Sequence, residues 1–147
     1  MNAPLLCLVL ASLLLAPACC DWPAVPPEFW SFDYNHSNGF TFQAFNCTTD
    51  MNRKQKDSTS CKPSSIIILG DTWDITPSWD IIKICQGEGT PTGGDLFTSN
   101  KSFRVGKCQL QNQGAVPPNC IYKAKITTSQ ITVACKQEYP VHLEGSE

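Results

Sequence analysis

Apolar positions fall into distinct patterns along the 147 residues. Residues 1–20 contain no charge, hold an apolar run over 5–16 and end in Ala16-Pro17-Ala18-Cys19-Cys20, which reads as a secretory signal peptide. The run falls short of the ~20 apolar residues that a membrane helix needs, and no later stretch approaches that length. A soluble, secreted, extracellular protein without stable membrane binding is therefore expected, with residues 21–147 as its single domain. Cleavage after Ala18 and after Cys20 both leave small residues at the recognition positions.

Beyond a Pro-rich lead, Pro26-Pro27 suits a helix start, and Phe29, Phe32 and His36 then share one helical face. Ser37-Asn38-Gly39 should end that helix, with Gly39 as a left-handed stop. A second, polar helix is expected over 46–56, capped by Thr48 or Thr49. The β-branched run Ser64-Ser65-Ile66-Ile67-Ile68-Leu69 reads as a strand closed by Gly70-Asp71. A third helix follows, with Thr76 as N-cap, Pro77 in the first turn, and Trp79, Ile82 and either Ile81 or Lys83 before Cys85. Residues 87–94, rich in Gly, Thr and Pro, read as a flexible loop. Four strands are expected at 103–110, 121–128, 131–136 and 139–144, with Thr128-Ser129-Gln130 as a hairpin turn between two of them. Early helices and late antiparallel strands, without internal repeats, make an α+β domain.

Cysteine parity sharpens this picture. Cleavage after Cys20 leaves Cys47, Cys61, Cys85, Cys108, Cys120 and Cys135, an even set that in a small exported domain suggests three disulfides. The alternative, a zinc site, is disfavoured by wide spacings and the lack of any Cys-x-x-Cys pair. Sequence alone leaves fifteen pairings open. With 11 basic and 13 acidic residues the net charge is -2, so strong charge-driven binding to nucleic acid or membrane is not implied. A cationic host-defence role is disfavoured for the same reason, since the one dense basic patch is Arg53-Lys54-Gln55-Lys56.

Several motifs, taken together and in order, resemble the pancreatic-type ribonuclease (ribonuclease A) superfamily: Phe32-Asp33-Tyr34-Asn35-His36, Cys61-Lys62-Pro63-Ser64-Ser65, Pro118-Asn119-Cys120-Ile121-Tyr122-Lys123, Val133-Ala134-Cys135 and Tyr139-Pro140-Val141-His142-Leu143. The resemblance covers nearly the whole mature chain. It implies three short helices, a bent antiparallel sheet and the pairings Cys47–Cys108, Cys61–Cys120 and Cys85–Cys135. A fourth bridge found in many members is missing where this chain has residues 87–94, as it is in angiogenins.

The resemblance also implies a chemistry. RNA carries its own nucleophile, the ribose 2′-hydroxyl, so cleavage requires a base, an acid and a cation, and no metal or cofactor. His36 would be the general base, His142 the general acid and Lys62 the cation that stabilises the phosphorane; these are the chain's two histidines. Asn35, Ser65, Ile66 and Leu143 would contact substrate, and Glu144 would orient His142. The chain departs from the family where a base-binding threonine is Ile66, whose side chain can neither donate nor accept a hydrogen bond. Asn35, Ser65 and Glu144 likewise replace Gln, Asn and Asp. Asn35-His36-Ser37, Asn46-Cys47-Thr48 and Asn100-Lys101-Ser102 are glycosylation sequons, Asn100 being the expected acceptor and Asn35 sitting awkwardly beside the proposed base. The expected function is metal-independent endoribonuclease cleavage through a 2′,3′-cyclic phosphate. The alternative is a weakly active or inactive secreted protein that binds a receptor or other partner. RNA is the expected partner of a monomer, and the resemblance adds the ribonuclease inhibitor, whose association an acidic chain would slow.

Overall fold

The structure is a computed structural model, described over residues 24–38, 45–70 and 77–146. The expected signal peptide and the roles assigned to Gly39, Asp71 and Thr76 lie outside the described residues.

Helix α1, Pro27–His36, begins with proline in its first turn and buries Phe29 and Phe32. It stops because Ser37 turns extended, at φ -106° and ψ 143°, and forms a parallel bridge with Ile68. The helix thus ends by joining a strand, before the residue expected to stop it. Helix α2, Cys47–Lys54, is three residues shorter than expected and is capped by Asn46, whose side chain accepts from the Thr49 amide at 3.1 Å. Neither Thr48 nor Thr49 caps it, because Asn46 is the residue with extended geometry just outside the first turn and so can reach back to a free amide. The Thr48 hydroxyl instead serves both backbone groups of Tyr122, at 3.2 and 3.0 Å.

The remaining elements are β1 (Ser64–Leu69), α3 (Pro77–Ile84), β2 (Gly89–Gly93), β3 (Leu96–Ser99), β4 (Phe103–Leu110), β5 (Tyr122–Ser129), β6 (Ile131–Lys136) and β7 (Tyr139–Ser146). Antiparallel pairing gives one sheet in the order β1-β4-β5 and another in the order β2-β3-β6-β7. Two expectations fail here. The loop expected at 87–94 contains β2, paired with β3 around Gly93 and Gly94 at positive φ; Gly, Pro and Thr hide the strand because its stability comes from the ladder and not from apolar side chains. Residues 128–130 do not form a hairpin turn, since β5 and β6 belong to different sheets. Gln130 is a step between sheets, and the Ile131 amide beyond it is held by buried Ser99 Oγ at 3.0 Å. The hairpin joins β6 to β7 through Gln137 and Glu138, both at positive φ, a two-residue turn made without the usual glycine.

Alternation along β1 sends Ile68 into one core and Ile67 into another. The first core packs Phe29, Phe32, Ile81, Val105, Ile131 and Val133 around Ile68; the second gathers Met51, Leu69 and Tyr122 around Ile67 and two disulfides. Gly106 is obligatory beside it, because a Cβ there would sit 2.4 Å from the Phe45 ring. The bridges are Cys47–Cys108, Cys61–Cys120 and Cys85–Cys135, closing separations of 61, 59 and 50 residues. On chain-entropy grounds each contributes about 4 kcal/mol. The result is an α+β fold in which the end of α1, the start of β1 and the last strand converge. Among the described residues, no helix is long and apolar enough to cross a membrane.

Candidate functional site

The site begins where α1 meets β1. The Asn38 amide donates to the Ile68 carbonyl at 3.2 Å, and this docking brings His36, in the last helical turn, alongside Ile66. His36 Nδ1 lies 2.8 Å from the Ile66 carbonyl oxygen. A carbonyl only accepts, so Nδ1 carries the proton and, in the neutral ring, Nε2 keeps its lone pair free. The histidine is half-buried. Burial is the largest influence on its pKa and pushes it below the ordinary value; the bond to Ile66 opposes this, while the positive charges of Lys62, Lys54 and His142 reinforce it. His36 is thus a neutral imidazole facing a cluster of cations.

Lys62 is placed by its backbone. Gln55 Oε1 accepts from the Lys62 amide at 3.0 Å, and Tyr122 Oη donates to the Lys62 carbonyl at 2.7 Å. Gln55 Nε2 in turn donates to Tyr122 Oη at 2.7 Å. Gln55 and Tyr122 are both buried, and the neighbouring Cys61 is bridged to Cys120. The backbone on both sides of Lys62 Cα is therefore anchored, while its side chain is exposed.

Lys62 lines a cleft of about 500 Å³ with Asn35, Ser65, Tyr34, Lys54 and Gln55. Lys54 donates to the carbonyls of Tyr34 and Ser37 and lies 5.3 Å from the Tyr34 ring centre. Burial, followed by the charge of Arg53, pushes its pKa down to about 8. Neither Lys54 nor the Gln55–Tyr122 pair stood out as a site residue in the sequence. The signal for Lys54 was its basic cluster, which also holds Gln55, and Tyr122 stood within a quoted motif, but nothing local marked either of the latter two for this network.

On β7, His142 pairs with Ala134, and its Nε2 lies 3.3 Å from Glu144 Oε2 with both side chains more than half exposed. Glu144 thus does reach the imidazole despite its longer arm. Leu143 faces the other way and packs against the first core. Ile66 enters the site through its carbonyl, a contribution independent of its side chain. Of the sequons, Asn46 caps α2, Asn35 is half-buried in α1, and Asn100 is exposed, accepting from the Thr90 hydroxyl at 2.7 Å.

His36 thus offers a ring nitrogen with a free lone pair, Lys62 an ammonium, and His142 an imidazole backed by a carboxylate. A family model described as pancreatic ribonuclease matches residues 28–144. The chain is 36% identical to a ribonuclease of Chelydra serpentina over 68% of this chain and 78% of that one, and 35% identical to an angiogenin of Macaca mulatta over 68% and 64%. Its fold superposes on green turtle egg white ribonuclease with a TM-score of 0.66 at 25% identity, covering 83% of this chain and 100% of the other.

Proposed function

Because this chain belongs to the pancreatic ribonuclease family, we propose that it is a secreted endoribonuclease in which His36, Lys62 and His142 cleave RNA by transphosphorylation. The observation that carries the reading is the bond from His36 Nδ1 to the Ile66 carbonyl, which leaves Nε2 as the proton acceptor. Nε2 takes the 2′-hydroxyl proton while the 2′-oxygen attacks phosphorus, and the Lys62 ammonium stabilises the charge gathering on the phosphoryl oxygens. His142, with Nε2 turned to Glu144, gives a proton from Nδ1 to the departing 5′-oxygen. The products are a 2′,3′-cyclic phosphate and a 5′-hydroxyl. Positioned proton transfer of this kind supplies roughly 10²–10⁴ in rate for each imidazole.

The apolar side chain of Ile66 makes base discrimination weak, since it offers a pyrimidine no hydrogen bond. Asn35, in a helix and lining the cleft, stays unglycosylated, whereas exposed Asn100 carries the glycan. The second reading, a ribonuclease fold used chiefly to bind a partner, draws on the exposure of His142. Turnover of the dinucleotide UpA by the oxidised protein, beside His142→Ala and Lys62→Ala, separates the two. Activity lost in both variants supports the enzyme; an inactive wild type with all three disulfides formed supports the binding protein.

A further inference from the structure

Helices α1 and α2 flank the catalytic cleft, Tyr34 and Asn35 lining it from one, and Met51, Lys54 and the C-capping Gln55 from the other. They do not share a core. Phe29 and Phe32 of α1 belong to the first core, whereas Cys47 and Met51 of α2 belong to the second, together with Cys61 and Tyr122 beside Lys62. His36 is therefore carried by one core and Lys62 by the other, and the distance between them depends on what joins the two. Strand β1 is one join, since it holds His36 through the Ile66 carbonyl and begins just beyond Lys62. The other is a polar clasp between the helices.

The clasp follows from how α1 ends. With Ser37 extended, the Asn38 amide donates to Ile68 at 3.2 Å and not to the Tyr34 carbonyl four residues back, as it would in a continuing helix. The Tyr34 carbonyl is thus one of the acceptors that a helix end leaves without an intrahelical partner. Lys54 fills it: its ammonium donates to the Tyr34 carbonyl and, at 3.0 Å, to that of buried Ser37. Tyr34 Oη returns the contact by donating to the Arg53 carbonyl at 3.1 Å. A cation at a helix C-terminus is favoured by the helix dipole as well. Burial, then the charge of Arg53, pushes the Lys54 pKa down to about 8, against Asp50 of its own helix and Asp33 of α1. The ammonium is thus held partly out of water, where a lysine without a task would reach for solvent. Its neighbour Gln55 accepts from the Lys62 amide at 3.0 Å, so consecutive residues at the end of α2 grip the two halves of the site.

We propose, on the catalytic reading above, that Lys54 is a positioning residue: by capping α1 from α2 it fixes the separation between His36 and Lys62. It acts through His36 and not on the substrate. Burial is the main cause of the low His36 pKa, and the charges of Lys62 and Lys54 add to it, so the loss of Lys54 leaves a spectroscopic signature on the base itself.

The test compares Lys54→Met and Lys54→Arg with the wild type, all oxidised, in UpA turnover and in an NMR titration of the His36 ring. A misplacement of ~1 Å can cost about 10² in rate, so Lys54→Met should lose roughly 10- to 100-fold in kcat while KM stays within about threefold. The His36 titration and the acid limb of kcat/KM should both move up toward the ordinary imidazole value. Lys54→Arg keeps the charge and the donors and should restore all three. A lower melting temperature with kcat and the titration unchanged would mark an ordinary stabilising contact and overturn the proposal. So would a raised KM at constant kcat, the mark of a residue that binds substrate. Lys54→Gln, which retains a donor, replaces Lys54→Met if the latter does not fold; a chain that folds with neither places Lys54 among the residues needed for folding and also overturns the proposal. Wild-type turnover that depends on His142, beside an unchanged Lys54→Met, removes this role and leaves the enzyme. A wild type without turnover removes the catalytic reading and the positioning role with it.

Discussion

The two sides of the site are built to different standards of rigidity. On one side His36 is half-buried and bonded to a backbone carbonyl, and Lys62 hangs from a main chain held by Gln55, Tyr122 and the Cys61–Cys120 bridge. On the other, His142 and Glu144 are exposed neighbours on the last strand, steadied by each other and by the β6–β7 ladder. A base needs a defined tautomer and a lowered pKa, both of which burial and a carbonyl supply. An acid that must meet a departing oxygen on the solvent side can be exposed. The contrast suggests that perturbing the first side will damage folding and catalysis together, whereas perturbing the second will damage catalysis alone.

The sharpest way to break that contrast is with the imidazoles themselves. His142→Ala should lower kcat/KM on UpA by ~10²–10⁴ while leaving the melting temperature within experimental error, as a calorimetric scan would show. A large fall in melting temperature would place His142 in the rigid part. Tyr122→Phe is the converse. It strips the Lys62 carbonyl and Gln55 Nε2 of a partner inside a buried network, so urea unfolding should report a loss of about 1–3 kcal/mol, accompanied by reduced turnover. Stability kept intact by the variant would mean that the network does not fix Lys62.

The pH dependence sharpens the comparison further. With its pKa held down mainly by burial, His36 stays neutral below the ~6.5 at which an exposed imidazole half-protonates. The acid limb of kcat/KM should therefore lie below that value. Because the folded state resists protonation here and the unfolded state does not, stability should fall as pH drops through ~6.5 and level off below the folded pKa of His36. A limb above 6.5 would contradict the buried base. Smallest of all is Glu144→Gln: an exposed pair of this kind is worth ~0.2–1 kcal/mol, so turnover should fall no more than fivefold in a steady-state assay.

The same difference explains what was legible in the sequence. Helices around Phe29 and Phe32, the Ser64–Leu69 strand, the later strands and all three disulfides followed from apolar spacing or from family resemblance, since each leaves its mark on local residue types. β2 did not, because Gly, Thr and Pro advertise a loop when a ladder with β3 is what orders them. The assignment of β5 and β6 to separate sheets was equally hidden: Thr128-Ser129-Gln130 looks like a turn whether the chain reverses or steps across. Within the site, His36, Lys62 and His142 were visible as residue types in motifs. Gln55 and Tyr122 also stood in quoted segments, but their role was hidden, because it lies in bonds formed across 7 and 60 residues of chain. Ile66 was read through its side chain, whereas its contribution to His36 comes from a carbonyl that every residue possesses.

The most direct test of the central claim is to identify the first product of UpA cleavage by ³¹P NMR in the presence of EDTA, for the wild type and for His36→Ala. The account predicts uridine 2′,3′-cyclic phosphate accumulating in the wild type and absent, on the same timescale, in the variant. A cyclic phosphate formed equally well without His36, or a wild type that yields none, would contradict it.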